Sequence, residues 1–274
     1  MVSAAPAQVF QSTAAVPAVT AGEAYRLLQV QLQRLLDLLD SLSPEDWSRP
    51  TACSAWDVRA MVAHQAGGYA SGTGYREMLR QYLAILKPGG LPEDRINALQ
   101  VGERSGRTPA ELIAELRAAG PTAARNWAYG FRLVRWGAIP HPVAGLLSLG
   151  HLNRVVHSRD TWMHRLDICR ATGRPFVQTP EQEGRIAALV MPDVEKALRR
   201  KLGPLSLRFD LNGVCGGTWQ MGEDPAAASI HMDALDFFIF ASGRYTPAEA
   251  RARARVSGNS GAGEAVFNNL LVLF

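Results

Sequence analysis

The residues best placed to do chemistry lie in one segment, His157-x-x-Asp160-x-x-x-His164, where a carboxylate and two imidazoles recur at helical spacing. At about 100° per residue, Asp160 and His164 fall within about 40° of each other on one helix face. Side chains one turn apart can meet a single ion. A carboxylate oxygen and an imidazole nitrogen suit zinc and other divalent ions. His157 lies on the same arc, a further turn away. A catalytic metal site needs a third protein ligand and an open position. In a packed helical domain that ligand comes from a facing helix, and His64 is the histidine with a clear helical context there. The bland reading stays open at this point. Asp-x-x-x-His is also the spacing of an ordinary surface or core pair, and Arg159 and Arg165 could neutralise Asp160. A histidine beside Val62 and Ala63 is equally the pattern of a buried, hydrogen-bonded one.

Three cysteines occur, Cys53, Cys169 and Cys215. An odd number at wide spacing argues against a disulfide framework and fits a reducing, cytoplasmic setting. No C-x-x-C is present, so no thiolate zinc site is written in the sequence. Each cysteine is a nucleophile in principle, but no base is visible beside any of them, and a packing role is expected. Cys53 falls in the loop before the His64 helix. Trp47, Trp56 and Trp162 are expected as core or pocket walls.

The elements that must position these residues read as follows. Residues 21–42 carry Tyr25, Leu32 and Leu39 every seven residues and Leu28, Leu35 and Leu42 offset by three, the seam of a packed helix. A second helix spans about 55–70, broken by the glycines of 67–74. Thr108-Pro109-Ala110-Glu111 is a capping box that starts a helix to Ala119, and Pro121 starts another. The Asp160 helix runs from about Val143 to Thr172, closed by Gly173 with Pro175 beyond. A further helix spans 180–201. After Gly203-Pro204 the period changes to two: LSLRFDL (205–211), GTWQMG (217–222) and ASIHM (228–232) read as strands, followed by a helix at 233–241 and a last helix from Gly261. The fold class is therefore α + (α+β): a helical domain over 21–175, then a linker helix and a small α+β domain over 176–274. Residues 1–20 are small and Pro/Ala-rich, with no basic start and no apolar run, which predicts a floppy leader rather than a signal peptide.

Composition excludes several classes. The 29 basic and 25 acidic residues leave a net charge of +4, and 47% apolar with 20% charged residues is an ordinary globular balance. Arg199-Arg200-Lys201 and the alternating Arg251, Arg253 and Arg255 read as solvated faces, so no nucleic-acid partner is expected. No run of about 18 apolar residues occurs, so no membrane span is expected.

"LSPEDWSRPTACSAWDVRAMVAHQAGGY" (42–69) resembles the start of the mycothiol-dependent maleylpyruvate isomerase family, within the DinB/YfiT-like superfamily of helical metalloproteins. The resemblance rests on the Pro44-x-x-Trp47 turn, the run from Thr51 through Cys53 and Trp56 to Val58, and the histidine that follows. "RDTWMHRLDICRATGRP" (159–175) resembles the family's second metal motif. "GTWQMG", "DALDFFIFASGR" and "VSGN" resemble its small C-terminal domain. The resemblance implies a DinB-like four-helix bundle with a sterol-carrier-like α+β domain after it. It implies one metal ion, usually zinc, on His64, Asp160 and His164. Asp160 stands where the isomerase has Glu, one methylene longer. The family's isomerase uses mycothiol, whose thiol adds to a conjugated double bond, lets the resulting single bond rotate and is eliminated. Arg244 is the match for a C-terminal arginine that binds substrate, unless it only serves as a helix C-terminal cation. His157 would be a proton shuttle or would sit at the surface. The expected partner is a small unsaturated acid, with the protein a monomer or homodimer. The first reading is thus a metal- and mycothiol-dependent isomerase or thiol S-transferase; two others stay open, a repurposed enzyme on the same scaffold that uses neither thiol nor metal, and a non-catalytic ligand-binding protein.

Overall fold

The computed structural model describes residues 11–86, 91–222 and 225–274. In chain order its elements are β1 (Gln11–Ser12), α1 (Ala21–Asp40), α2 (Val58–Ser71), α3 (Tyr75–Tyr82), α4 (Pro92–Gly102), α5 (Pro109–Tyr129), β2 (Ala138–His141), β3 (Gly145–Ser148), α6 (Leu149–His151), α7 (His157–Thr172), α8 (Arg185–Leu202), β4 (Ser206–Asn212), β5 (Gly217–Gly222), β6 (Ala228–Asp233), α9 (Ala234–Ala241), α10 (Pro247–Arg253), β7 (Arg255–Gly258) and α11 (Ser260–Asn269). The chain divides into two compact units. One holds residues 19–177 with Phe274; the other holds residues 178–273 with the described residues up to Ala18.

The first unit is helical apart from one hairpin, β2–β3. Thr20 caps α1 by accepting from the Glu23 N–H at 3.2 Å. The seam read from the sequence is buried: Leu28, Leu32, Leu35 and Leu39 all face the core. That face packs on α5 and α7. Asp57 caps α2, accepting from the Ala60 N–H at 2.7 Å. Two expected helix breaks are absent. Gly67 and Gly68 lie inside α2, and Gly67 is there because α4 comes close: a Cβ at Gly67 would sit 2.6 Å from Gln100 Cβ. Pro121 lies inside α5, which runs unbroken from its Thr108 capping box to Tyr129. A proline costs one backbone hydrogen bond. Leu112, Leu116, Ala123, Ala124 and Trp127 are buried on either side of it, and their packing holds the helix through the gap.

The helix expected from Val143 begins instead at Leu149, because the hairpin takes residues 138–148. From α6 the chain passes through a π-helical turn, Leu152–Val156, straight into α7. Such bulges recur beside functional sites, since one extra residue re-aims the following face. α7 ends at Gly173 with φ of 70°, a left-handed cap that favours glycine.

The second unit holds a five-stranded sheet in the order β1-β5-β4-β6-β7. β4 and β5 form an antiparallel pair, and β6 joins β4 in parallel. The period-two reading of β4 corresponds to Leu207, Phe209 and Leu211 turned to the core. α9 packs on β4 and β6 and buries Phe237, Phe238 and Phe240.

The floppy leader expected over residues 1–20 needs correction. Residues 1–10 lie outside the described residues, but β1 pairs in parallel with Trp219 and Gln220 of β5. Thr13 is buried and donates to Glu195, and Pro17 O accepts from Arg185 Nη2 at 2.8 Å. A strand added at a sheet edge is held by its backbone, so side-chain composition gave no sign of it.

Candidate metal centre

α2 presents His64, and α7 presents Asp160 and His164 one turn apart. Their donor atoms all lie within 4.8 Å of one another. His64 Nε2 stands 3.6 Å and His164 Nε2 stands 3.3 Å from the same oxygen, Asp160 Oδ1. The two imidazoles sit edge to face, 5.0 Å between centroids at 76°. Tetrahedral zinc with bonds of about 2.0–2.1 Å holds its donor atoms about 3.3–3.4 Å apart. The three side chains therefore fit one such ion, and the shorter Asp160 reaches both histidines.

The proton positions strengthen this fit. His64 Nδ1 meets Gln100 Oε1 at 2.8 Å. Gln100 Nε2 donates to Gln81 Oε1 at 2.8 Å, and Gln81 Nε2 donates to the Gly67 carbonyl at 2.9 Å. A carbonyl only accepts, so the chain of amides can run one way only, and Gln100 must offer its oxygen to His64. In a neutral ring the proton is then on Nδ1 and the lone pair on Nε2. His164 repeats the pattern, with Nδ1 3.3 Å from Asp167 Oδ2, a buried carboxylate. Two imidazole lone pairs and a carboxylate oxygen thus converge on one point, an arrangement that requires a cation or extra protons. With the extra protons on the two Nε2 atoms in place of a cation, burial pushes the Asp160 carboxyl up, but attraction and hydrogen bonding from His164, then His64, outweigh it and hold the group well below the usual carboxylate range. Its second oxygen accepts from Gln65 Nε2 at 2.6 Å.

Around this centre, Trp56 stacks on His64 at 5.0 Å and tilts toward His164 at 5.9 Å, so it is a wall of the site. Trp47 and Trp162 are buried in packing. Arg165, one of the two residues that could have neutralised Asp160, donates to Gln31 Oε1 at 2.6 Å and Val177 O at 2.8 Å. Arg159 lies over the Phe274 ring. His157 is no surface residue: it stacks on Trp127 at 3.9 Å and 15°. Its Nε2 is buried and makes no hydrogen bond among the described residues. Burial lowers its pKa to about 4, outweighing the opposing pull from Asp160, and His64 adds a lesser push down.

The cysteines part company. Cys169 is buried, with its thiol on Pro175 O at 3.5 Å, and burial pushes it up to about 11. Cys215 is buried in the other unit and pushed up to about 12 by the same cause. Cys53 instead is half-buried and brings its sulfur within 4.8 Å of donor atoms of His164 and Asp167. Arg244 belongs to the second unit, in the turn after α9, where its N–H donates to Ile239 O at 3.0 Å. Sequence reasoning missed Gln65, Gln81, Gln100 and Asp167. Asp167 was findable, being one turn beyond His164 on the same helix; Gln100 carries no signal, since only the fold brings α4 to α2.

A family model described as the mycothiol maleylpyruvate isomerase N-terminal domain matches residues 28–169. Two solved structures resemble the chain over 90% of its length and 95% of theirs, each with a TM-score of 0.55. They are a mycothiol-dependent maleylpyruvate isomerase at 13% identity and a histidine-to-alanine mutant of such an isomerase at 12%. At these identities the likeness is one of fold. No curated protein matches. The family match spans more than half of the chain and includes His64, Asp160 and His164, and the chain belongs to the mycothiol maleylpyruvate isomerase family.

Proposed function

We propose that this protein is a metal- and mycothiol-dependent enzyme acting on a small unsaturated acid, as a cis–trans isomerase of the maleylpyruvate type or as a thiol S-transferase. The observation that supports this reading is the convergence of His64 Nε2, His164 Nε2 and Asp160 Oδ1 with both Nδ1 atoms facing acceptors. A divalent ion held there, zinc by its donor set, would supply the charge that acidifies a coordinated thiol.

The chain's own residues prepare the rest. Gln100 and Asp167 aim the two imidazoles, and Gln65 fixes the Asp160 carboxylate. Trp56 limits water at the His64 face. His157 is assigned the proton-shuttle role; burial, which lowers its pKa to about 4, keeps it neutral at pH 7 until a reacting group presents a proton to it. Addition of the thiol to the conjugated double bond leaves a single bond free to turn, and elimination gives the trans acid; release of the adduct instead would make the same site an S-transferase. Arg244 is assigned to a substrate carboxylate by family resemblance alone. The same reading makes the helical unit a DinB-like four-helix bundle of α1, α2, α5 and α7, and the other a sterol-carrier-like domain. Among the described residues no helix is long and apolar enough to cross a membrane.

Elemental analysis tests the foundation. Native protein is expected to hold about one zinc per chain, and an Asp160→Ala, His164→Ala double variant none. Native protein that takes up no metal even when zinc is supplied would remove the thiol mechanism.

A further inference from the structure

An imidazole has two nitrogens, and only Nε2 of His164 stands against Asp160 at the first centre. The other side of the ring carries its own donor set. Cys53 Sγ, a ring nitrogen of His164 and a carboxylate oxygen of Asp167 also lie within 4.8 Å of one another, and Nδ1 is the His164 nitrogen that faces Asp167, 3.3 Å from its Oδ2. Sulfur, nitrogen and oxygen donors from three side chains are a set that soft divalent ions select. The sulfur is not carried on a loose loop. The Cys53 N–H donates to Thr51 Oγ1 at 3.2 Å, and the Trp56 N–H donates to Cys53 O at 2.8 Å, in the turn that leads into the Asp57 cap of α2. Asp167 is buried on α7 one turn after His164. The position is thus held by α7 and by the turn that enters α2, the two helices that hold the first centre.

We propose that Cys53, His164 and Asp167 form a second cation position, selective for thiophilic divalent ions and exclusive with the first. The exclusion follows from proton count. A neutral imidazole has one N–H and one lone pair. With the proton on Nδ1, shared with Asp167, the Nε2 lone pair serves His64 and Asp160. For an ion to bind Nδ1, that proton moves to Nε2, where Asp160 Oδ1 stands 3.3 Å away to accept it. Cys53 gives up its thiol proton to solvent as the metal–sulfur bond forms. A soft ion at the second position therefore strips His164 from the first and competes with its zinc. The second position does not need the first to be filled, so it stands apart from the proposed function.

Cadmium titration of the full chain, with a phosphine as reductant so that no added thiol competes, reads the sulfur directly. Cadmium–thiolate bonds give charge-transfer absorption in the ultraviolet that nitrogen and oxygen ligands do not. The band is expected in native protein and in His64→Ala, and it is expected to be lost in Cys53→Ser and Cys53→Ala, each checked for native circular dichroism. Cadmium should also release zinc from zinc-loaded native protein but not from Cys53→Ser. Absence of the band in native protein overturns the proposal, as does a band undiminished in both Cys53 variants, which would place cadmium on Cys169 or Cys215. Native protein that holds no zinc yet gives the Cys53-dependent band would sink the proposed function and leave this site standing; zinc at about one per chain with no cadmium band would do the reverse.

Discussion

Replacing Gln100 by Leu tests the proton logic of the metal centre without touching a ligand. The leucine fills much of the same volume but offers no acceptor to His64 Nδ1, which now has Gln100 Oε1 at 2.8 Å. It also leaves Gln81 Oε1 without the donor it has at 2.8 Å. Both losses fall in a dry place, since Gln100 is 3% and Gln81 0% exposed. Outer partners of metal-binding histidines are worth about 10–100-fold in affinity, or about 1.4–2.8 kcal/mol at 1.4 kcal/mol per tenfold. Zinc affinity, read by competition with a chromophoric chelator, should fall by that factor. The metal-free protein should also lose stability, by about 1–3 kcal/mol for each buried group left unpaired. Gln81→Met is the comparison. It removes the far link but leaves the Gln100 oxygen in place, so its effect on zinc should be smaller than that of Gln100→Leu. A native fold in Gln100→Leu with zinc affinity within about twofold of native would show that Nδ1 does not set the ring, and the convergence of lone pairs would lose its force.

Two further outcomes follow from the same geometry. Gly67→Ala puts a methyl 2.6 Å from Gln100 Cβ and Cγ; overpacking of this kind costs about 1–3 kcal/mol, and thermal melts should show it together with weaker zinc binding as Gln100 is displaced. His157 has its pKa lowered from 6.5 to about 4 in the fold. In zinc-free protein the unfolded chain therefore binds a proton that the folded chain refuses between those values, so stability is full above pH 6.5 and declines as pH falls toward 4. Denaturant titrations across that window should flatten in His157→Gln, and a native histidine resonance titrating near 6.5 rather than near 4 would contradict the burial argument.

The parts of this molecule that were legible in the sequence are those fixed within one element. The leucine seam of α1, the Thr108 box of α5 and the Gly173 stop of α7 depend on residues three to seven positions apart, and each stands where the pattern put it. Asp160 and His164 were legible as a pair for the same reason. What failed needed another element to be understood. Gly67 looks like a helix breaker until α4 arrives against it, and Pro121 looks like a helix start until the packing on both sides of it is seen. β1 depends on the edge of β5, more than two hundred residues away. The centre itself divides along this line. Spacing offered Asp160 and His164 as donors, but the same spacing fits a common ion pair on a helix face. The difference between the two is where the ring protons are. That is set by Gln100, handed on to Gln81 and fixed at last by the Gly67 carbonyl, which can only accept. A histidine pair that turns its N–H groups outward to such acceptors has only lone pairs left to offer Asp160, and lone pairs meeting a carboxylate call for a cation.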